Sequence, residues 1–157
     1  MNSFRNKRAI VLLVEDEVLV RWATAAVLRE AGYQVLDVER ADEALSILEG
    51  RSDIAVVFTD INMPGRMDGQ ALAFEVNRRW PAIGLLVTSG DVGAREPRLP
   101  AASRFLAKPY SYVDLIAGVN GLATPPQPAP AGRSSAGRLE VRAMDMASLA
   151  QPRWVSR

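Results

Sequence analysis

The chain has 157 residues, of which 48% are hydrophobic and 24% charged, and it contains neither cysteine nor histidine. That is the mixture of one globular domain with some excess length, and the two absences exclude disulfides, thiolate catalysis, Cys- or His-ligated metal, Ser-His-Asp hydrolysis and any role as a phosphohistidine carrier. The net charge of +1 hides an asymmetry: residues 9–123 carry 11 Lys or Arg against 16 Asp or Glu, whereas residues 1–8 and 124–157 each carry +3, so the body is acidic and argues against a nucleic-acid face.

Ala9 to Val14 reads AIVLLV, the short continuous apolar run of a strand buried on both faces of a parallel sheet. Glu15, Asp16 and Glu17 cut it off at once. With the basic stretch Met1 to Arg8 before it, this is no secretory signal, and no apolar run approaches the roughly 18 residues that span a bilayer. No membrane association and a cytoplasmic location are the expectation. Val18 to Ala31 follows as a helix with Leu19, Trp22, Ala23, Ala26 and Val27 on its expected inner face, and Gly32 ends it. Trp22 and Trp80 are expected as packing residues.

Val35 to Val38 is a second strand and Asp42 to Leu48 a second helix. Ile54 to Thr59, IAVVFT, is a third strand that runs into Asp60. Pro64, Gly65 and Gly69 break the chain, with Asp68 placed to cap a helix over Gln70 to Trp80 that Pro81 stops. Leu85 to Thr88 and Phe105 to Ala107 are the fourth and fifth strands. Between them Pro97 and Pro100 leave room for only a short or irregular fourth helix in Gly90 to Arg104. Ser111 and Asp114 form a capping box for a last helix through Val113, Ile116, Val119 and Leu122. Strands alternating with helices in this way predict an open, doubly wound parallel α/β sheet over residues 1–123. Residues 124–157 open with TPPQPAPAGRSSAG, a Pro/Ala/Gly-rich linker that leads into an expected disordered tail.

Ligands of such a sheet sit at the carboxyl ends of the strands, near the point where strand order reverses. The polar residues gather there: Glu15 and Asp16 after the first strand, Asp60 after the third, Thr88 and Ser89 after the fourth, Lys108 and Pro109 after the fifth. Three carboxylates brought together repel one another unless a cation shares the site, and Mg²⁺ suits an all-oxygen donor set. A carboxylate is also a nucleophile toward phosphoryl groups. Asp60 is therefore assigned as nucleophile, Glu15 and Asp16 as metal binders, Lys108 as the cation for a phosphoryl oxygen and Ser89 as a hydroxyl donor to another.

The stretches LLVEDE (12–17), TDINMPGRMDG (59–69), VTSG (87–90) and FLAKPY (105–110) closely resemble the receiver domains of bacterial two-component response regulators, over roughly Arg8 to Leu122. The resemblance implies a flavodoxin-like (βα)5 fold with strand order 2-1-3-4-5. It implies phosphorylation at Asp60 by a histidine kinase or histidine phosphotransfer protein, with signalling through a downstream protein partner. It also implies a third protein ligand for Mg²⁺ besides the acidic side chains, the backbone carbonyl of Asn62, and a switch made of Ser89 and Phe105. Phe105 lacks the hydroxyl of the Tyr more common there, and Ser89 is preferred to Thr88 because Gly90 matches the small residue that usually follows the switch. Asn62 and Asp91 fall at the variable positions flanking the phosphoryl site, where polar residues resemble receivers that lose the phosphoryl group quickly. The irregular fourth helix departs from the family's usual dimer surface, so a monomer or a weak phosphorylation-dependent dimer is expected.

Two other readings compete. A phosphohydrolase with an aspartyl-phosphate intermediate would use a second Asp two residues after the nucleophile, and here that position is Asn62. A phosphate-independent pseudo-receiver scaffold would not need the acidic residues and Lys108. The expectation is a stand-alone phosphorylation module that catalyses only its own phosphorylation and dephosphorylation, with no output domain in the 34 residues that follow Ala123.

Overall fold

The structure, a computed structural model, describes residues 8–91 and 97–123. The chain divides into Met1–Pro126 and Gln127–Arg157. The second unit, with all of the linker and tail expected over 124–157, lies outside the described residues. In chain order the elements are β1 (Ile10–Val14), α1 (Val18–Glu30), β2 (Gln34–Val38), α2 (Ala41–Gly50), β3 (Ile54–Asp60), α3 (Gly69–Arg79), β4 (Gly84–Ser89), β5 (Arg104–Ala107) and α4 (Tyr112–Ala123).

The five strands are all parallel, in the order β2-β1-β3-β4-β5, as the resemblance implied. Every residue of β1 is buried, because helices cover both faces of the sheet. Successive strand residues point to opposite faces, so β1 serves two cores. Ile10, Leu12 and Val14 pack with Ala44 and Leu48 of α2 and Leu72, Ala73 and Val76 of α3. Val11 and Leu13 pack with Ala25 and Leu28 of α1 and Leu115 and Val119 of α4.

The face that α1 turns inward is only partly the one expected. On α1 the buried residues are Thr24, Ala25 and Leu28, whereas Leu19 is 79% and Trp22 72% exposed. Ala26 is exposed as well. Of the expected stripe Val27 packs against the core and Ala23 is half-buried, while Leu19, Trp22 and Ala26 lie to one side of the face that meets the sheet. Trp22 is consequently no packing residue, while Trp80 is partly buried against the core. On α4 Leu115 and Val119 are buried and Leu122 packs against the core, whereas Val113 is 77% exposed.

The helix caps follow the sequence. Asp68 accepts from the Ala71 amide at 2.8 Å, a contact worth about 1 kcal/mol. Ser111 Oγ accepts from the Asp114 amide at 3.1 Å and donates to the Asp114 carboxylate at 2.7 Å, so Asp114 holds the capping hydroxyl itself. In the stretch expected to hold a short or irregular fourth helix, residues 92–96 lie outside the described residues, and none of the described ones is helical. Leu99 packs onto the core there and Pro100 is buried. No helix among the described residues is long and apolar enough to cross a membrane.

Candidate functional site

Strand register delivers the site. Val14 of β1 lies opposite Thr59 of β3, Asp60 opposite Thr88 of β4, and Ser89 opposite Ala107 of β5. One residue beyond these rungs come Glu15, at the reversal of strand order between β1 and β3, and Lys108. Backbone bonds extend the ladders past the strand ends: Glu15 N–H to the Val38 carbonyl at 3.1 Å, Ile61 N–H to Thr88 at 2.8 Å and Lys108 N–H to Ser89 at 2.9 Å. The sheet's hydrogen-bond ladders thus continue into the rim.

Glu15 and Asp60 are only 3% and 6% exposed. The Lys108 ammonium lies between them, donating to Asp60 Oδ2 and, at 3.3 Å, to Glu15 Oε2. Burial works against the Lys108 charge, but the hydrogen bond to Asp60 and the charges of Glu15 and Asp60 outweigh it and raise the lysine pKa. Burial is the largest influence on Glu15 and raises its pKa; the Glu17 amide and Lys108 offset this only in part. Asp60 Oδ1 accepts from the Asn62 amide at 3.0 Å. Both oxygens of the assigned nucleophile are therefore held, one by a backbone donor and one by a cation.

The remaining predicted residues divide. Asn62 and Ser89 meet each other, with Asn62 Nδ2 donating to Ser89 Oγ at 3.2 Å. Thr88 is turned away: its hydroxyl donates to the Leu106 carbonyl at 2.6 Å, which supports Ser89 as the rim hydroxyl. Asp16 lines a neighbouring open cleft of about 340 Å³ with Glu39, Arg40, Pro64 and Gly65. Phe105 is half-buried on β5, opposite Val87. Among the described residues no three acidic side chains group closely enough to hold an ion. The donors that could hold a hard cation are all oxygens: the carboxylates of Glu15, Asp16 and Asp60 and the Asn62 carbonyl.

Three contributors were not picked out from sequence. Arg21, on α1, donates to the Glu15 carbonyl at 2.7 Å and reaches Asp37 at 3.6 Å, so it fixes the acidic loop from behind. Tyr110 sets its ring edge-on to Phe58, 6.1 Å between centroids. Its hydroxyl pKa is raised by burial, against an opposing interaction with Thr24. Gly69 packs so closely on the acceptor strand that an added Cβ would lie on the Asp60 carbonyl oxygen and 2.9 Å from Ile61 Cα. Arg21 could have been suspected only as a helix residue one turn beyond the acidic loop. For Gly69 the sequence signal was a turn glycine like any other.

Compared with known proteins, residues 11–120 match the response regulator receiver domain family. The chain belongs to that family. Over 115 residues this receiver is 37% identical to the sensor kinase CckA of Brucella abortus and 36% identical to the response regulator protein FleR of Pseudomonas aeruginosa. These matches cover 71% and 69% of the chain but only 12% and 24% of the two relatives, so the receiver spans a small part of their length. A crystal structure of a response regulator receiver protein from Sinorhizobium medicae superposes with a TM-score of 0.68 at 28% identity, covering 74% of this chain and 95% of that one.

Proposed function

We propose that the chain accepts a phosphoryl group on Asp60 from a phosphohistidine donor, in a Mg²⁺-dependent reaction, and signals through a protein partner in a two-component phosphorelay. The observation that carries this reading is the Lys108 ammonium shared between two buried carboxylates, Asp60 and Glu15. A cation so placed neutralises charge where a phosphoryl group would arrive, and transfer of that group is catalysed mainly by positioning and charge neutralisation.

An Asp60 carboxylate oxygen attacks phosphorus, the P–N bond to the donor histidine breaks, and its electron pair stays on the imidazole nitrogen. The Asn62 amide and Lys108 orient the attacking carboxylate, and Lys108 and Ser89 take phosphoryl oxygens. The residues suited to hold Mg²⁺ are Glu15, Asp16, Asp60 and the Asn62 carbonyl; when bound, the ion supplies further charge neutralisation. Its all-oxygen donor set fits the ion, and Lys108 already shows that the two buried carboxylates accept a shared cation. The protein turns over no substrate besides its own phosphoryl group. Relatives named as a sensor kinase and a response regulator support a histidine kinase or phosphotransfer protein as donor, and a cytoplasmic location follows from that partnership.

The test is the intact mass of wild type and Asp60→Asn after exposure to phosphoramidate or acetyl phosphate, with and without Mg²⁺. One base-labile phosphoryl adduct, dependent on Mg²⁺ and absent from the variant, is expected. An adduct of equal yield on Asp60→Asn would overturn the assignment.

A further inference from the structure

Arg21 grips the loop Glu15–Glu17 at both ends. Its backbone N–H donates to the Glu17 carbonyl at 2.8 Å, and its Nη1 donates to the Glu15 carbonyl at 2.7 Å. Asp16 lies between the two anchored residues. Within the loop the Glu17 amide donates to Glu15 Oε1 at 3.1 Å. The guanidinium is steadied from the other side by Asp37 of β2 at 3.6 Å and by Glu39, just beyond that strand, at 3.9 Å, and only 16% of the Arg21 side chain is exposed. Helix stability does not account for an arginine here, because the dipole disfavours a cation near the start of α1.

Building on the metal-site reading above, we infer that Arg21 is a positioning residue, which holds the carboxylates of Glu15 and Asp16 in the arrangement that takes Mg²⁺ although its own charge opposes the ion. Three consecutive acidic residues repel one another and would spread the loop if its ends were free. Mg²⁺ tolerates little departure from octahedral geometry, so its affinity is sensitive to such spreading. The two effects of Arg21 have opposite signs. By Coulomb repulsion alone, removing a nearby cation strengthens Mg²⁺ binding; by loss of positioning, removing it weakens binding.

The experiment has two arms. The first is a calorimetric titration of Mg²⁺ into unphosphorylated wild type, Arg21→Met, Arg21→Lys and Arg29→Met, each well below its own thermal unfolding transition. Arg29 is the control: it also ties α1 to β2, through Asp37 at 2.8 Å and the Val35 carbonyl at 3.2 Å, but makes no bond to the loop. Arg21→Met is expected to raise the Mg²⁺ dissociation constant roughly three- to tenfold, the worth of one hydrogen bond. Arg21→Lys keeps the charge but not the fork that spans carbonyl and carboxylate, and is expected to fall between the two. Arg29→Met is expected to bind as wild type does. The second arm follows hydrogen exchange of the Glu17 amide in the metal-free protein, expected to quicken in Arg21→Met and not in Arg29→Met.

An unchanged or tightened dissociation constant in Arg21→Met overturns the inference, the latter being the signature of charge alone. Equal weakening in Arg29→Met overturns it too, since any loosening of α1 from β2 would then suffice. Should Arg21→Met not fold, Arg21→Lys decides: binding as tight as wild type overturns the inference. Wild type that binds no Mg²⁺ defeats the metal-site reading and the inference with it, whereas Mg²⁺ binding without a phosphoryl adduct defeats the phosphoacceptor reading alone and leaves the comparison of variants to decide the role of Arg21.

Discussion

Thr88 and Leu106 are joined by a 2.6 Å hydrogen bond from the threonine hydroxyl to the leucine carbonyl, across β4 and β5. The adjacent residue, Ser89, points the other way and reaches Asn62. Neighbouring residues on one strand thus divide two tasks, one fastening an edge strand and the other serving the rim. Thr88→Val should lower stability by about 1–2 kcal/mol, since it abandons a buried hydrogen bond, while the protein still forms the phosphoryl adduct. Ser89→Ala should leave denaturant unfolding nearly unchanged and slow adduct formation. Loss of the adduct in Thr88→Val with normal kinetics in Ser89→Ala would reverse the two assignments.

Strand ends and the polar residues that follow them could be read from sequence because short apolar runs stop at polar residues, a pattern with few alternatives, whereas strand order came only from the resemblance to receiver domains. The rotation of a helix depends on which side meets the sheet. On α1 two stripes compete: Leu19, Trp22, Ala23, Ala26 and Val27, of which Val27 packs against the core, and Thr24, Ala25 and Leu28. The first has the larger side chains and was favoured, yet the sheet takes mainly the second. Periodicity establishes that a helix is amphipathic; with Thr24 breaking the inner stripe, it identified the face only in part.

The reassigned face predicts an inversion of mutational cost. Trp22→Ala and Leu19→Ala should change stability by no more than about 0.5 kcal/mol, as surface substitutions do. Leu28→Ala, at a site with no exposure, should cost about 2–5 kcal/mol. Urea unfolding of the three variants decides the matter, and a cost for Trp22→Ala comparable with that of Leu28→Ala would restore the face expected from sequence.

Glu15 is held where burial disfavours its charge. Its folded pKa lies above the ordinary 4.5, so the native state keeps this proton at a pH where the unfolded chain has released it. The cost to stability accrues as pH rises from 4.5 through the folded pKa and is fully present above that value. Glu15→Gln should therefore raise the Tm of the metal-free protein at neutral pH, and the gain should shrink as pH falls toward 4.5. The same variant should lose Mg²⁺-dependent phosphorylation, because an amide is a poor ligand where a carboxylate is needed. A Tm gain that does not vary between pH 7 and 4.5 would show that the charge of Glu15 is not its source.

Gly65 and Gly69 both stand in the loop after Asp60 and look alike in sequence, yet they are glycines for different reasons. Gly65 adopts φ +117, which a side chain strains, but an added Cβ would meet nothing within 4 Å. Gly69 has no such backbone requirement. Its N–H donates to the Ile61 carbonyl at 2.9 Å, and that bond draws the start of α3 against the end of β3. An added Cβ would coincide with the Asp60 carbonyl oxygen and lie 2.6 Å from its carbon. These are backbone atoms, so no rotamer change relieves the clash, and either α3 or the acceptor strand must move. Gly65→Ala should cost about 1–2 kcal/mol of stability through its left-handed backbone and leave adduct formation intact. Gly69→Ala should cost at least as much, in the 1–3 kcal/mol range of an overpacked site, and should also impair the adduct by displacing Asp60 from Lys108. Unfolding curves and intact mass on the same two proteins separate the cases; equal adduct formation in both would mean that α3 yields and the rim does not.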